Sequence, residues 1–175
     1  MPNWIPVLVI LLVIWLAYSV MSSLWTSANG APWVPTKLRT VRRLLELAQV
    51  RAGETVYDLG AGGGRVLIVA AREFGARGVG IELDPVRVLW TRLLVLLLGL
   101  RKKVEVRQGN FFTQDFRDAD VVVCYLLTST NRRLADKLLE DLRPGTRVVS
   151  NAFPFPDWQL VAEDLDHRIY LYRIP

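Results

Sequence analysis

The sequence predicts an α/β fold: a mostly parallel sheet with helices on both faces, an antiparallel C-terminal hairpin, and one transmembrane helix ahead of them. Three observations carry this. The N-terminal stretch is apolar and uncharged. Strand-like and helix-like segments alternate from Thr55 to Ser150, which argues for a parallel sheet covered on both sides. A buried strand runs straight into Gly60-Ala61-Gly62-Gly63-Gly64 and then into a helix.

No charged side chain occurs from Met1 to Thr36, and Trp4 to Met21 is almost wholly apolar. A spanning helix needs about 20 such residues. Trp4 and Trp25 bracket the run as interfacial aromatics do, and Pro6 lies near its start, where a missing N–H costs little. A cleaved signal peptide fits less well. The basic n-region is missing, and the apolar stretch exceeds the usual ~7–15 residues. Lys37, Arg39, Arg42 and Arg43 follow the run and none precedes it, so the positive-inside rule expects the rest of the chain on the cytoplasmic side. The organisation expected is an anchor over 1–26, a Pro/Gly/Asn-containing connector over 27–35, and a domain over 36–175.

Thr36 is expected to cap a helix reaching about Gln49, with Leu38, Val41, Leu44, Leu45 and Ala48 on one face. Gly53-Glu54 reads as a turn. Strands follow at Thr55–Leu59, Gly78–Glu82, Val104–Arg107, Asp120–Tyr125 and Thr146–Ser150. Helices are expected at Gly64–Phe74, Pro85–Leu100 and Asn131–Leu142. Trp158–Glu163 and Arg168–Ile174 flank Asp164-Leu165-Asp166-His167 and read as an antiparallel hairpin. The helix from Pro85 is unusually apolar. Its outer face suits either sheet packing or a bilayer surface met by Arg101, Lys102 and Lys103. Arg92 and the short length argue against a second span.

The chain has 175 residues, with 22 Lys and Arg against 17 Asp and Glu. Such a balance fits nucleic acid, an anionic membrane or an acidic protein face. The basic residues are dispersed and the anchor fits nucleic-acid binding poorly, so no nucleic-acid partner is expected. Cys124, the one cysteine, sits in an apolar strand, which suits a small core residue and leaves no intrachain disulfide. One cysteine and one histidine, His167 in a turn, argue against a zinc site; no metal is expected.

The chemistry is carried by Val56-Tyr57-Asp58-Leu59-Gly60-Ala61-Gly62-Gly63-Gly64-Arg65. Glycines allow positive φ and close approach of a ligand to the backbone, and the helix N-terminus offers unpaired N–H groups. A dinucleotide would suit this much. Two details separate the readings. Arg65 stands where the dinucleotide fingerprint wants its third glycine. Asp58, just before the loop, suits an ammonium-bearing ligand such as S-adenosylmethionine, whereas a pyrophosphate would be repelled. Glu82 lies at the end of the next strand, 18 positions after Gly64, close to the spacing of an acid that binds both ribose hydroxyls. A carboxylate offers a diol two acceptor oxygens. Asp84, before Pro85, is the better candidate for a helix cap. After the third strand, Gln108-Gly109-Asn110-Phe111-Phe112 places Asn110 for adenine contact and Phe111 for aromatic packing.

These motifs resemble those of class I S-adenosylmethionine-dependent methyltransferases, which have a Rossmann-like sheet. More narrowly, the chain resembles the small archaeal-type protein lysine methyltransferases, whose group includes the mitochondrial enzymes of the ADP/ATP carrier and the ATP synthase c subunit. The carrying segments are Trp33-Val34-Pro35-Thr36, the glycine segment, Gly109-Asn110-Phe111-Phe112, Tyr125-Leu126-Leu127-Thr128 and Pro144-Gly145-Thr146-Arg147-Val148-Val149-Ser150. The resemblance covers about residues 33 to 175. It implies that Asp58, Gly60, Gly62 and Glu82 hold the cofactor and that Thr36 lies over its methionine end. It also implies that Tyr125 and Thr128, at the end of the fourth strand, face the substrate amine. That strand lacks the Asp/Asn-Pro-Pro-Tyr/Phe pattern of many class I enzymes.

The expected activity is methyl transfer to a lysine amine of a protein, membrane-embedded or membrane-associated. Tyr125, Thr128 and Trp33 are the residues expected to orient the amine by hydrogen bonds and aromatic contact. No long insertion offers a lid, and an open cleft suits a protruding lysine. Two alternatives stay open: a methyltransferase for a membrane lipid or quinone, and a non-catalytic cofactor-binding membrane protein.

Overall fold

The structure, a computed structural model, describes residues 3–29 and 34–175. Helix α1 runs Ile5–Asn29. It contains no glycine, and its one proline sits at the second position, where no helical N–H is lost. Its stretch Ile5–Thr26 contains an 18-residue window of mean hydropathy 2.4 and is long and apolar enough to cross a membrane. Side chains from Ile5 to Ala17 are exposed, and Ser22 and Thr26 are buried against the rest of the chain.

Helix α2, Leu38–Leu47, buries Val41, Leu44 and Leu45. Thr36 does not cap it. Lys37 holds the cap position with extended backbone and no side-chain bond. The Thr36 carbonyl instead accepts a hydrogen bond from Arg65 Nη1 at 2.7 Å. The remaining elements are β1 (Thr55–Leu59), α3 (Arg65–Glu73), β2 (Arg77–Glu82), α4 (Pro85–Leu97), β3 (Val104–Gln108), a 3-10 turn (Phe111–Thr113), β4 (Val121–Cys124), α5 (Thr128–Asp141), β5 (Arg147–Asn151), β6 (Leu160–Asp164) and β7 (Ile169–Arg173). Helix α4 stops three residues short of the expected end. Gly99 in the left-handed conformation (φ +69°) closes it. Helix α5 starts three residues early, because Leu127 supplies the first carbonyl, bonded by the Asn131 N–H. Thr128-Ser129-Thr130 reads as loop by propensity, and packing overrides that preference.

The seven strands lie in the order β3-β2-β1-β4-β5-β7-β6. The first five are mutually parallel, and β7 runs antiparallel to both β5 and β6. The expected mixed sheet and C-terminal hairpin are both present. Alternation along β1 divides the core between the two faces: Tyr57 and Leu59 pack with Leu134 and Leu138 of α5, while Val56 packs with Val41 of α2 and Val69 of α3. A third cluster joins Leu67 of α3 to Val88 and Val95 of α4 and to Val104 and Val106 of β3. Arg147 knits the sheet to its surroundings, bonding the Ala48 and Gln49 carbonyls and the Glu54 carboxylate. Cys124 is wholly buried, and burial pushes its thiol pKa well up.

Strand order reverses between β1 and β4, the point in an open α/β sheet where ligands bind beyond the carboxyl ends. The glycine loop fills that place. The N–H groups of Gly60 and Ala61 both bond the Ile81 carbonyl, at 2.9 and 3.0 Å. Thr91 of α4 latches the far side, its hydroxyl donating to the Gly62 carbonyl at 2.8 Å. Gly64 is in the left-handed conformation (φ +70°), and a Cβ there would lie 2.4 Å from Thr91 Cγ2. Gly63 has ordinary φ and open space around it.

The two glycines should therefore respond differently to alanine. Gly64→Ala combines left-handed strain with overpacking and should cost about 2–4 kcal/mol. Gly63→Ala should stay within about 0.5 kcal/mol of wild type. Denaturant unfolding in detergent micelles measures both.

Candidate active site

A cleft of about 540 Å³ opens at the carboxyl ends of β1, β2 and β4, within the size range of small-molecule sites. Asp58, Gly60, Gly62, Glu82, Asn110, Phe111, Thr36 and Tyr125 all line it. The structure thus brings together eight of the ten residues expected from sequence. Thr128 is exposed on the first turn of α5, beyond the end of β4, and is not among the lining residues. Trp33 lies outside the described residues.

Glu82 is buried, and its two oxygens are held by backbone: Oε2 accepts from Gly62 N–H at 2.7 Å and Oε1 from Asp84 N–H at 2.9 Å. Each oxygen keeps a second lone pair, so the carboxylate is fixed in place with acceptor capacity left for a diol. Arg87 Nη1 lies 3.8 Å from Oε1.

Asp58 differs. It is 6% exposed, and among the described residues no hydrogen-bond donor meets its carboxylate. Burial, then the neighbouring negative charge of Glu82, pushes its pKa up to about 7. A buried acid without a cation, on the wall of a cleft, marks where a cationic group belongs.

Asn110 accepts from Phe112 N–H at 3.0 Å, capping the 3-10 turn, so only its amide nitrogen can serve a ligand's acceptor. Phe111 is buried and packs on Phe112 with centroids 4.8 Å apart. The Tyr125 ring stacks on Phe153 at 6.4 Å and 26°. His167 sits in the β6–β7 turn against Asp164, 3.2 Å away; no histidine lines the cleft among the described residues.

Several contributors are not apparent from the motifs. Thr26 of α1 and Val86, Arg87 and Trp90 of α4 also line the cleft. Asp84 caps α4 as expected, accepting from Val86 N–H at 2.9 Å and Arg87 N–H at 3.1 Å. It also accepts hydrogen bonds from the Tyr18 and Ser22 hydroxyls of α1. Arg87 Nη2 donates to Ser22 Oγ at 3.1 Å. Burial works against the Asp84 charge, but these hydroxyls, the Arg87 N–H and the Arg87 charge together hold its pKa below the usual carboxylate value. One signal could have revealed the contact. Tyr18, Ser22 and Thr26 are spaced by four, a polar line along one face of an apolar helix.

The sequence model of the ANTKMT methyltransferase domain matches residues 58–162. A protein-lysine N-methyltransferase of Saccharolobus islandicus is 40% identical over 150 residues, covering 82% of this chain and 93% of that protein. The adenine nucleotide translocase lysine N-methyltransferase of Mus musculus is 38% identical over 147 residues, covering 82% of this chain and 63% of that enzyme. Among solved structures, an RNA methyltransferase from Salinibacter ruber in complex with S-adenosyl-L-homocysteine superposes with a TM-score of 0.79. It is 46% identical, covering 81% of this chain and 94% of that one.

The residues present fit an adenosyl amino acid. Among the described residues Asp58 has no cation partner, which a ligand α-ammonium would supply, and Glu82 suits the ribose diol. Such binding draws on the ionised form of Asp58, whose pKa is raised in the free protein. The sign follows from linkage. In the free protein the raised pKa favours folding fully below about pH 4, and this contribution disappears as pH rises through 7. Ligand affinity runs the other way, rising with pH until Asp58 is ionised. S-adenosylhomocysteine affinity, followed by calorimetry, should weaken on the order of tenfold per pH unit below 7. Asp58→Asn should weaken binding at pH 7.5 and flatten that dependence.

Proposed function

This chain belongs to the ANTKMT family of S-adenosylmethionine-dependent methyltransferases, and from that premise we propose that it methylates a lysine side-chain amine of a membrane-associated protein. In this reading α1 is a single-pass anchor and the domain, 36–175, faces the cytoplasm. The observation that carries the reading is the placement of the anchor beside the chemistry: Thr26 of α1 forms part of the wall that Asp58, Glu82 and Tyr125 also form. The apolar, uncharged length of α1 and the cations that follow it support the topology. The protein-lysine activities named for the Saccharolobus and mouse relatives support the acceptor.

When bound, the cofactor supplies a methyl group already activated on a sulfonium, so the protein's contribution is positioning. Asp58 would hold the α-ammonium and Glu82 the ribose hydroxyls. Asn110 would donate to the base through its amide nitrogen, and the Phe111 ring, buried against Phe112, would bound the same end of the cleft. The short Val34-Pro35-Thr36 segment, pinned by Arg65, bounds the opposite wall. A lysine amine with a free pKa near 10.4 must shed its proton before attack. With no histidine on the cleft wall, the apolar surface of Val34, Leu126 and the Tyr125 ring lowers that pKa by desolvation. Tyr125, steadied by Phe153, is the group placed to orient the amine. Thr128, on the outer turn of α5, meets the incoming chain farther out.

The Salinibacter relative's description as an RNA methyltransferase favours a second reading, with RNA as acceptor, and the net charge of +5 is compatible with it. Incubating the full-length protein with radiolabelled cofactor, membranes and total RNA decides between acceptors. Label is expected in protein bands. Label in RNA or in the lipid extract would overturn the lysine reading. Mass spectrometry of membrane proteins from cells with and without the gene then identifies the lysine. On that substrate Tyr125→Ala should lower kcat/KM by about 10–100-fold, the cost of losing an orienting contact. Thr128→Ala should lower it by less than about fivefold; equal rates for wild type and Tyr125→Ala would remove Tyr125 from the site.

A further inference from the structure

Helix α4 turns one face to the core through Val88, Thr91 and Val95. The opposite face carries Val86, Leu89, Trp90, Leu93, Leu96 and Leu97, all exposed. Their spacings of three and four form a single apolar stripe. Leu89 at 69% and Leu97 at 71% are as exposed as Leu8 of α1 at 63%. Arg92 does not interrupt the stripe, because its guanidinium donates two hydrogen bonds to the Val106 carbonyl at the sheet edge, at 3.0 and 2.8 Å. A shallow groove between α4 and β3, lined by Leu93, Leu96, Val104 and Val106, continues the apolar surface and reaches Arg101. Three exposed cations, Arg101, Lys102 and Lys103, follow the helix. The nearby acid Glu105 is already paired with Arg77 and Arg107.

The geometry of α1 says what covers this face. Every side chain from Ile5 to Ala17 is exposed, about 20 Å of helix, and beyond it the face of Ser22 and Thr26 is buried against the domain while Val20, Met21 and Leu24 stay exposed; a hydrocarbon core is about 30 Å thick. A crossing therefore has to include the stretch from Tyr18 to Thr26. That stretch is bonded through Tyr18 and Ser22 to Asp84 and Arg87, the first turn of α4. The start of α4 is thereby held at membrane level.

We propose that α4 lies on the bilayer, its apolar stripe in the acyl region and Arg101, Lys102 and Lys103 at anionic phospholipid headgroups, a proposal that rests on α1 being a membrane span. A surface helix with an apolar face and terminal cations has the form of an interfacial helix. Val86 and Trp90 belong both to the stripe and to the cleft wall, so docking sets the cleft mouth at the membrane surface.

The test uses the full-length protein in phosphatidylcholine/phosphatidylglycerol vesicles, with nitroxide labels on Leu93→Cys, Leu97→Cys, Leu12→Cys and Leu165→Cys. The buried Cys124 stays unlabelled. Relative accessibility to oxygen and to a polar nickel complex reports depth. Labels at 93 and 97 should be lipid-like, as at 12, with 165, on the β6–β7 turn, water-like. Replacing phosphatidylglycerol by phosphatidylcholine, or Arg101, Lys102 and Lys103 by Gln, should shift 93 and 97 toward water, by about fivefold in docking equilibrium per charge. Water-like 93 and 97 with lipid-like 12 would overturn docking and leave the anchor standing. Water-like 12 would overturn both. Spin–spin broadening at 93 with exclusion of both relaxants would assign the face to a second copy and overturn the proposal.

Discussion

The site depends on the Glu82 carboxylate. It stands at the end of β2 and receives the N–H of Gly62 on one oxygen and the N–H of Asp84 on the other. The glycine loop and the first turn of α4 are therefore tied to one buried side chain. Losing it would strand two buried donors, at about 1–3 kcal/mol each. Thr91 completes the clasp by bonding the Gly62 carbonyl from α4. Loop, strand and helix are held as one unit, and the backbone that meets a ligand is set before the ligand arrives.

Beside Glu82, Asp58 has no donor among the described residues, and the contrast bears on what the cleft accepts. A strand, a glycine loop and a helix N-terminus together favour anions. Here two buried acids stand at the carboxyl ends of adjacent strands and reverse that preference. Glu82 is held by backbone N–H groups, whereas burial, and then the neighbouring charge of Glu82, raises Asp58 to about 7. A phosphate would meet both acids, while an ammonium relieves Asp58 and a diol uses what remains of Glu82. On this fold geometry the placement of the carboxylates thus favours a cationic nucleoside ligand over a dinucleotide, alongside the Arg65 that replaces the third fingerprint glycine.

Most of this was readable from local pattern. Strand runs such as Thr55–Leu59 and the Gly60–Gly64 loop specify their backbone through short-range sterics and burial, and the structure reproduces them with ends shifted by a residue or two. Asp58 and Glu82 were legible because each sits at a strand terminus whose position the pattern fixes. What escaped depends on partners distant in sequence. Thr36 looked like a helix cap, but Arg65, 29 positions on, takes its carbonyl. Thr128 looked like a strand-end residue, but α5 begins there once Leu127 offers its carbonyl. Thr91 carried no signal, because its role exists only when α4 lies across the glycine loop.

The contact between α1 and α4 extends the clasp beyond the cleft. Hydroxyls of Tyr18 and Ser22 bond Asp84, Asp84 N–H bonds Glu82, and Glu82 bonds the glycine loop. This is a continuous hydrogen-bonded line from the apolar helix to the ligand-binding backbone. A flexible leash would raise only the local concentration of membrane-embedded acceptors. A helix bonded to the cleft wall also fixes the direction in which the cleft opens. For an enzyme whose chemistry is mostly positioning, that second effect would add to the first. The amine must approach along one line, and with α1 in a bilayer, as proposed, the membrane plane would set it.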